Sequence, residues 1–429
     1  MTRTVIVGAG IAGVSAAGAL RGAGYTGKIV LIGDEPELPY RRPPVSKEIV
    51  RGEKTPDEIR IKKAEWYDDQ QITLLTDATV MSINDGVAQL ADDDELAYDK
   101  LLLATGGRAR SPWDARGIHT LRSVADVPRL QSEMAGGKHL IVVGAGLIGS
   151  EIAASARGLG CEVTLLETAP LPLPRLLPPV LAQMYVELHK NEGTDLHTGV
   201  TVASITTVLA EGKGSETVVR ADDGRSWSGP VVVVAVGMEP NIALAEEAGI
   251  AIAPAEEGGG ILVDEFGHTS LPGVFAAGDV ANQPNVVLGG RHRVEHWQGA
   301  QNHGAAVGKI MAGGSTPFAE VPWCWSDQYD ATLQVVGWPL ATHELVLRGS
   351  LDEHDFIAYL LEDGVVRGAV AMGRPREIRT ARTWIADHAR LEDVLERSEG
   401  TIKGSLERSE GTIKGSLERS EGTIKGGLV

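Results

Sequence analysis

Two glycine-rich turns, far apart and nearly identical, constrain this chain more than any other feature. Residues 4–13 read TVIVGAGIAG and residues 140–149 read LIVVGAGLIG. In each copy a β-branched run leads into Gly-x-Gly-x-x-Gly and an Ala-rich stretch follows. A second apolar run comes next, at Ile29–Ile32 and at Val163–Leu166. That order predicts strand, tight turn, helix, strand: one βαβ unit per copy. Gly8, Gly10 and Gly13, and again Gly144, Gly146 and Gly149, let backbone N–H groups approach a pyrophosphate. The pyrophosphate then lies at a helix N-terminus, where the helix dipole favours an anion. Two such units predict two dinucleotide-binding folds in one α/β chain.

Composition narrows the class. With 429 residues and 43% apolar content the chain can bury several cores, so disorder throughout is excluded. The 53 glycines follow no Gly-x-y period, which excludes a collagen-like chain. A net charge of −18 argues against a nucleic-acid binder, which carries a basic face. Two cysteines, Cys161 and Cys324, cannot make a disulfide scaffold, a four-cysteine metal site or an iron–sulfur cluster, and no metal is expected. They suit a reducing, cytoplasmic compartment. No apolar run reaches 18 residues, so no membrane span is expected. The first twenty residues carry a positive charge before an apolar stretch, but glycines 8, 10 and 13 fit strand–turn–helix better than a secretory leader.

Further short apolar runs end in glycine or lead to it: Lys100–Ala104, Val231–Val236 and Gly273–Ala276. Buried parallel strands read this way where their ends face a ligand. Past residue 316 prolines and tryptophans appear, with alternation at Thr332–Val336 and Phe356–Leu361, which predicts an antiparallel sheet. The predicted organisation is a first nucleotide-binding domain from 1–112 and 235–315, a second from 113–234, and a C-terminal α+β domain from 316–394. Residues 395–429 repeat LERSEGTIKGS. Their apolar positions at 395, 402, 406, 413, 417 and 424 could suit a helical coil. Two glycines per copy, each costing about 1 kcal/mol in a helix, favour a flexible and dispensable tail.

Carboxylates at the ends of the second strands are the candidate ribose partners: Asp34 in the first unit, Glu167 in the second. A carboxylate there accepts hydrogen bonds from ribose hydroxyls and repels a 2′-phosphate. No Arg follows Glu167 immediately, which favours NADH over NADPH, although Arg175 could reach the adenosine end.

Two dinucleotide folds followed by Ala276-Ala277-Gly278-Asp279 resemble the glutathione-reductase-like flavoproteins. There the first fold holds FAD, the inserted second fold holds the nicotinamide, and the late Gly-Asp meets the flavin ribityl–phosphate region. Thr105-Gly106-Gly107 and Val236-Gly237-Met238-Glu239-Pro240 resemble the crossover segments between the domains. No cysteine lies between residues 1 and 160, where disulfide reductases carry a redox pair and NADH oxidases a single Cys. In its place Arg42-Pro43-Pro44-Val45-Ser46-Lys47 resembles the Arg-Pro-Pro-Leu-Ser-Lys segment of the oxygenase-coupled, NADH-dependent ferredoxin reductases. Leu121-Arg122-Ser123, Gly149-Ser150-Glu151, Arg293-Val294-Glu295-His296-Trp297 and Pro322-Trp323-Cys324-Trp325-Ser326-Asp327-Gln328-Tyr329 are similar to further motifs of that family. The resemblance covers roughly residues 1–385. It departs from the family at His296 for Ser, Cys324 for Phe, and Gln301-Asn302-His303-Gly304 where a Gln-Gly pair is usual.

The resemblance implies non-covalent FAD held by Gly8, Gly10, Ala12, Gly13, Asp34, Arg42, Pro43, Lys47, Val80, Ala104, Thr105, Gly106, Arg122, Gly278, Asp279, Glu295, His296 and Trp297. NADH would bind Gly144, Gly146, Leu147, Ile148, Gly149, Glu167, Arg175, Val236 and Gly237. The chemical candidates are Lys47, a cation for the reduced flavin, Glu151, which could pair with Lys47 on domain closure, and Trp325, which could cover a cofactor ring. The implied activity passes electrons from NADH through flavin, one at a time, to a [2Fe–2S] ferredoxin or rubredoxin. That carrier would feed a Rieske oxygenase or a cytochrome P450. Arg291, Arg293, Arg374, Arg376, Arg379 and Arg382 are candidates for steering an acidic carrier. The competing readings are an NADH oxidase and an apoptosis-inducing-factor-like flavoprotein. A non-enzymatic module on an empty nucleotide fold is set against by the intact glycines, Asp279 and Lys47.

Overall fold

The computed structural model describes residues 2–113, 117–210, 214–340 and 342–398. Each glycine-rich turn leaves the central strand of a five-stranded parallel sheet. In the first sheet the order is Val274–Ala276, Lys100–Leu103, Arg3–Val7, Lys28–Ile32, Ile72–Leu75. In the second it is Asp195–His197, Val163–Leu166, Leu140–Val143, Val231–Val234, Ile118–His119. Val7 sits level with Ile32 and Leu103, and Val143 level with Leu166 and Val234. The two turns therefore emerge at the carboxyl ends of equivalent strands. These strands read as unbroken apolar runs because both faces are buried: Val5, Ile6, Leu101 and Leu102, like Leu140–Val142, are all but inaccessible.

The helix after the first turn, Ile11–Gly22, packs against Trp297–Met311, a helix from far along the chain. Glycines make that approach possible. A Cβ at Gly304 would overlap the carbonyl oxygen of Ala12, and one at Gly308 that of Ala16. The chain crosses between the two sheets twice. The crossings pair as a short antiparallel ribbon, Gly107–Ala109 with Met238–Pro240, tied by hydrogen bonds between Thr105 and Asn241.

The predicted third sheet is present and antiparallel, in the order Trp323–Gln328, Ala331–Gly337, Val365–Met372, Asp355–Glu362, Glu344–Ser350. One face packs under the helix Pro375–Ala386 through Ile378, Ala381 and Ile385. The other shares an apolar core with the second nucleotide-binding fold, where Leu181, Tyr185 and Leu188 meet Leu333, Phe356 and Leu360. The turn between its first two strands adds a polar anchor. Tyr329, in the left-handed region at φ 57°, sets its hydroxyl 2.9 Å from both His189 Nδ1 and Thr194 Oγ1.

A last helix, Leu391–Ser398, runs into the first four residues of the segment expected to be a flexible tail. Leu391 is buried and Val394 packs on the C-terminal core, so tertiary contact overrides composition there. The remainder of the repeats, 399–429, lies outside the described residues.

Candidate functional site

In both turns the three glycines do three different jobs. Gly8 and Gly144 take φ of +111° and +104°, and a Cβ on either would overlap the carbonyl of the neighbouring strand end, Ala104 or Ala235. A Cβ at Gly13 or Gly149 would overlap the carbonyl of Gly8 or Gly144. The protein's own packing therefore demands the first and third glycines. Gly10 and Gly146 differ: each has ordinary extended φ and ψ, and open space where a side chain would be. Each N-caps its helix without a side-chain cap, so the first N–H groups face outward unblocked. Nothing in the fold requires those two glycines. A phosphate approaching the helix N-terminus does.

The carboxylates behind the turns are held differently. Glu167 is fixed at its strand end, accepting N–H bonds from Ala145 at 2.7 Å and Ala169 at 2.8 Å. It is half-buried beside the second turn. Asp34 is exposed. Its neighbour Glu35, which sequence reasoning passed over, takes the internal contacts instead, accepting from Arg42 and from the Tyr40 hydroxyl. Arg42 lies over the Tyr40 ring at 5.3 Å and donates to the carbonyl of Arg122 at 3.1 Å. Burial drives the Tyr40 hydroxyl well above its ordinary pKa, so it remains a donor.

Between the first turn and the late Gly278-Asp279 lies a cradle of charged groups. Arg122 approaches Asp279 at 3.4 Å, and Arg293 donates to the Asp279 carbonyl at 3.2 Å while pairing with Glu295 at 2.6 Å. Three polar atoms here are buried without a partner: Arg122 Nε, Asp279 Oδ1 and His296 Nδ1. Burial lowers the His296 pKa to about 4, so its ring is neutral. A polar ligand would satisfy these atoms, because a buried unpaired group is costly. With the opening at Gly10, these residues fit FAD. The opening at Gly146 and the fixed Glu167 fit the nicotinamide dinucleotide.

The chemical candidates converge on one carboxylate. Glu151 lies one turn inside the helix Leu147–Gly158 and is buried. It pairs with Lys47 at 2.8 Å, and the two side chains are only 4% and 7% exposed. The pair is therefore already closed. Ser46 donates to the same carboxylate, and Ser326 donates to its other oxygen at 2.7 Å. Ser46 and Lys47 come from the stretch between the fourth and fifth strands of the first parallel sheet, Glu151 from the helix after the second glycine-rich turn, and Ser326 from the antiparallel sheet. Both serines lie in motifs that the sequence singled out, but neither was given a role there.

Strand alternation explains Ser326 and Trp325 together. In Trp323–Gln328 the side chains of Cys324, Ser326 and Gln328 are buried on one face. Trp323 and Trp325 share the other, half-buried and stacked with centroids 5.2 Å apart. Burial first, then the charge of Glu151, pushes the Cys324 thiol up to about 12, so it is an inert packing group.

Other expected residues stand apart. Val80 is buried in the apolar core against one face of the first parallel sheet, so only its backbone is available to a ligand. Arg175 is exposed and makes no ion pair among the described residues. The expected basic docking set is largely consumed internally. Arg291 donates to the carbonyls of Val263 and Asn282, Arg293 pairs with Glu295, Arg374 with Asp355 and Glu377, and Arg382 with Glu320. Arg376 and Arg379 remain exposed on the C-terminal helix.

Comparison with known proteins agrees with this geometry. Residues 2–304 match the family "pyridine nucleotide-disulphide oxidoreductase", and residues 323–396 match "reductase C-terminal". The chain is 38% identical to the ferredoxin–NAD(+) reductase component of an anthranilate 1,2-dioxygenase system from Burkholderia cepacia, covering 89% of this chain and 93% of that one. It is 35% identical to the corresponding component of a p-cumate 2,3-dioxygenase system from Pseudomonas putida, covering 91% and 95%. Among solved structures, the reductase in a covalent putidaredoxin reductase–putidaredoxin complex superposes with a TM-score of 0.86 at 32% identity. That match covers 93% of this chain and 96% of the other.

Proposed function

This chain belongs to the pyridine nucleotide-disulphide oxidoreductase family, and from that premise we propose that it is the NADH-dependent ferredoxin reductase of an oxygenase system. It is an oxidoreductase that uses FAD and NADH. FAD, when bound, accepts two electrons from NADH together and releases them singly, as a one-electron iron–sulfur carrier requires.

The chain's own residues bind, orient and tune. Gly10 and the first helix receive the FAD pyrophosphate, while Asp34 takes the ribose. Arg122, Asp279, Glu295, His296 and Trp297 line the flavin side. Gly146 and Glu167 take NADH, and the carboxylate of Glu167 disfavours a 2′-phosphate. Lys47 supplies positive charge beside the reduced ring, held by Glu151, Ser46 and Ser326. Trp325 covers the ring site. Both cysteines are free and buried, so electrons leave without a thiol cycle, and a cytoplasmic setting belongs to the same reading. Residues 1–112 with 235–315 form the FAD domain in this reading, 113–234 the NAD domain and 316–394 the C-terminal domain.

The observation that carries the proposal is the meeting of Lys47, Glu151 and Ser326 at one buried point, in a chain with two turns open to a pyrophosphate. The test is NADH-driven cytochrome c reduction with and without added [2Fe–2S] ferredoxin or rubredoxin, with oxygen uptake followed in parallel. Strong dependence on the carrier with little oxygen consumption is expected. Rapid oxygen consumption that ignores every carrier would move the chain to the oxidases.

A further inference from the structure

We propose that His303 is a positioning residue of the FAD site, its ring holding the amide of Gly278 and so fixing the Gly278-Asp279 turn against the first dinucleotide helix. The proposal rests on the reading of this chain as an FAD protein and adds to it a residue that acts through the Gly278 peptide.

Three independent features meet at this point. First, Gly278 N–H donates to His303 Nδ1 at 3.2 Å. A nitrogen that accepts carries no proton, so the ring is the neutral tautomer with its proton on Nε2. Burial agrees, lowering the pKa of His303 to about 3. Second, the ring is clamped in orientation: it stacks on Phe318 with centroids 4.8 Å apart and planes 19° from parallel. Third, the backbone on either side has no slack. Gly278 takes φ +81°, and a Cβ there would lie 2.8 Å from the Ala12 methyl. Gly304, next to His303, is jammed against the Ala12 carbonyl.

The turn before Asp279 is therefore gripped from two sides. Ala12, beside the pyrophosphate turn, limits how close it comes, and His303 limits how far it retreats. Asp279 presents an unpartnered buried Oδ1 to the cradle, and the register of that oxygen depends on the preceding peptide. A Gly278 amide without an acceptor would be a buried, unsatisfied donor. It would be driven to reorient toward the nearest oxygen and carry Asp279 with it.

The experiment compares His303→Asn with His303→Leu. The Asn carbonyl oxygen occupies about the place of His Nδ1 and can accept the same N–H. Leu fills the slot but accepts nothing. FAD affinity is measured on apoprotein refilled with FAD, by quenching of flavin fluorescence, with far-UV circular dichroism as the check on folding. The wild-type apoprotein is titrated first. If it binds no FAD, the FAD reading itself fails and says nothing against His303.

Given wild-type binding, His303→Leu should weaken FAD about ten- to a hundredfold while folded, and His303→Asn should recover most of that loss. If packing alone mattered, the order would reverse, because Leu suits a buried apolar slot better than Asn. That reversed order, or FAD affinities within twofold of wild type for both variants, would overturn the proposal. Should His303→Leu fail to fold, the flavin circular dichroism of refilled His303→Asn decides. A band shape like the wild type upholds the positioning role, and an altered one at equal occupancy overturns it.

Discussion

Removal of either partner of the Lys47–Glu151 pair should cost more than removal of both. The two charges lie 2.8 Å apart with side chains 7% and 4% exposed, so neither is solvated by bulk water. Glu151→Leu leaves an ammonium buried without a counter-ion, and Lys47→Met leaves a carboxylate with only Ser46 and Ser326 to stabilise it. Each single change should cost about 3–5 kcal/mol. The double variant removes both charges and replaces them with apolar groups of similar size, which is often close to neutral. What it loses are the two serine hydrogen bonds, at about 1 kcal/mol each. Ser46 can still donate to the Pro43 carbonyl at 3.4 Å, but Ser326, which accepts from Gln328 at 3.2 Å, keeps a buried hydroxyl proton without its acceptor, so the double variant should fall about 2–3 kcal/mol below wild type. The assay is urea denaturation of the four FAD-loaded proteins, followed by circular dichroism and flavin fluorescence. A coupling energy on the order of 3 kcal/mol or more is expected. Additive losses, with coupling under about 0.5 kcal/mol, would refute the reasoning, because independent losses mean that the charges are solvated separately. The double variant should also reduce its flavin with NADH far more slowly than wild type although it is the more stable of the altered proteins. That would separate the pair's chemical role from its structural one.

Other outcomes follow from the same geometry. Gly13→Ala should destabilise the protein with or without FAD because its Cβ overlaps Gly8, whereas Gly10→Ala should leave the apoprotein's melting temperature unchanged and weaken only FAD; equal effects on apoprotein stability would contradict this division. Glu167→Ala should lower the ratio of kcat/KM for NADH to that for NADPH, and an unchanged ratio would remove Glu167 as the determinant. Burial lowers His189 to about 4 and His303 to about 3, so the unfolded chain binds protons that the folded one refuses. Their contribution is complete above about pH 6.5 and is lost as pH falls toward those values, at up to about 3 kcal/mol per pH unit near pH 5. His189→Gln should make that slope shallower by about half of this contribution in denaturation at pH 5 against pH 7, and an unchanged slope would show that His189 titrates normally.

Much of this protein was legible in the sequence because dinucleotide binding leaves local marks. A turn packed this tightly forces its first and third glycines, a phosphate that must reach backbone N–H groups calls for the middle one, and a strand buried on both faces reads as an unbroken apolar run. Gly8, Gly10, Gly13 and their counterparts from Gly144 to Gly149 therefore marked two βαβ turns, each a candidate dinucleotide site, without coordinates. Glu167 was visible for the same reason, as the carboxylate ending the second strand of its unit. The strand order of the third sheet was not legible, since alternation marks a strand but not its neighbours.

The sequence by itself determined the number of glycine-rich βαβ units and the absence of a cysteine pair, because a strand–turn–helix is written within about twenty-five consecutive residues and cysteines can be counted. Tertiary structure alone decided that the expected Lys47–Glu151 pair stands closed and buried, that Glu35 rather than Asp34 is engaged by Arg42, and that most of the arginines suited to a docking face are spent internally. It also decided that Ser46, Glu151 and Ser326, far apart along the chain, share one buried point. Charges and hydroxyls carry no local signature of their partners. A buried carboxylate is tolerable only where distant donors converge on it, and that convergence exists only once the domains have packed.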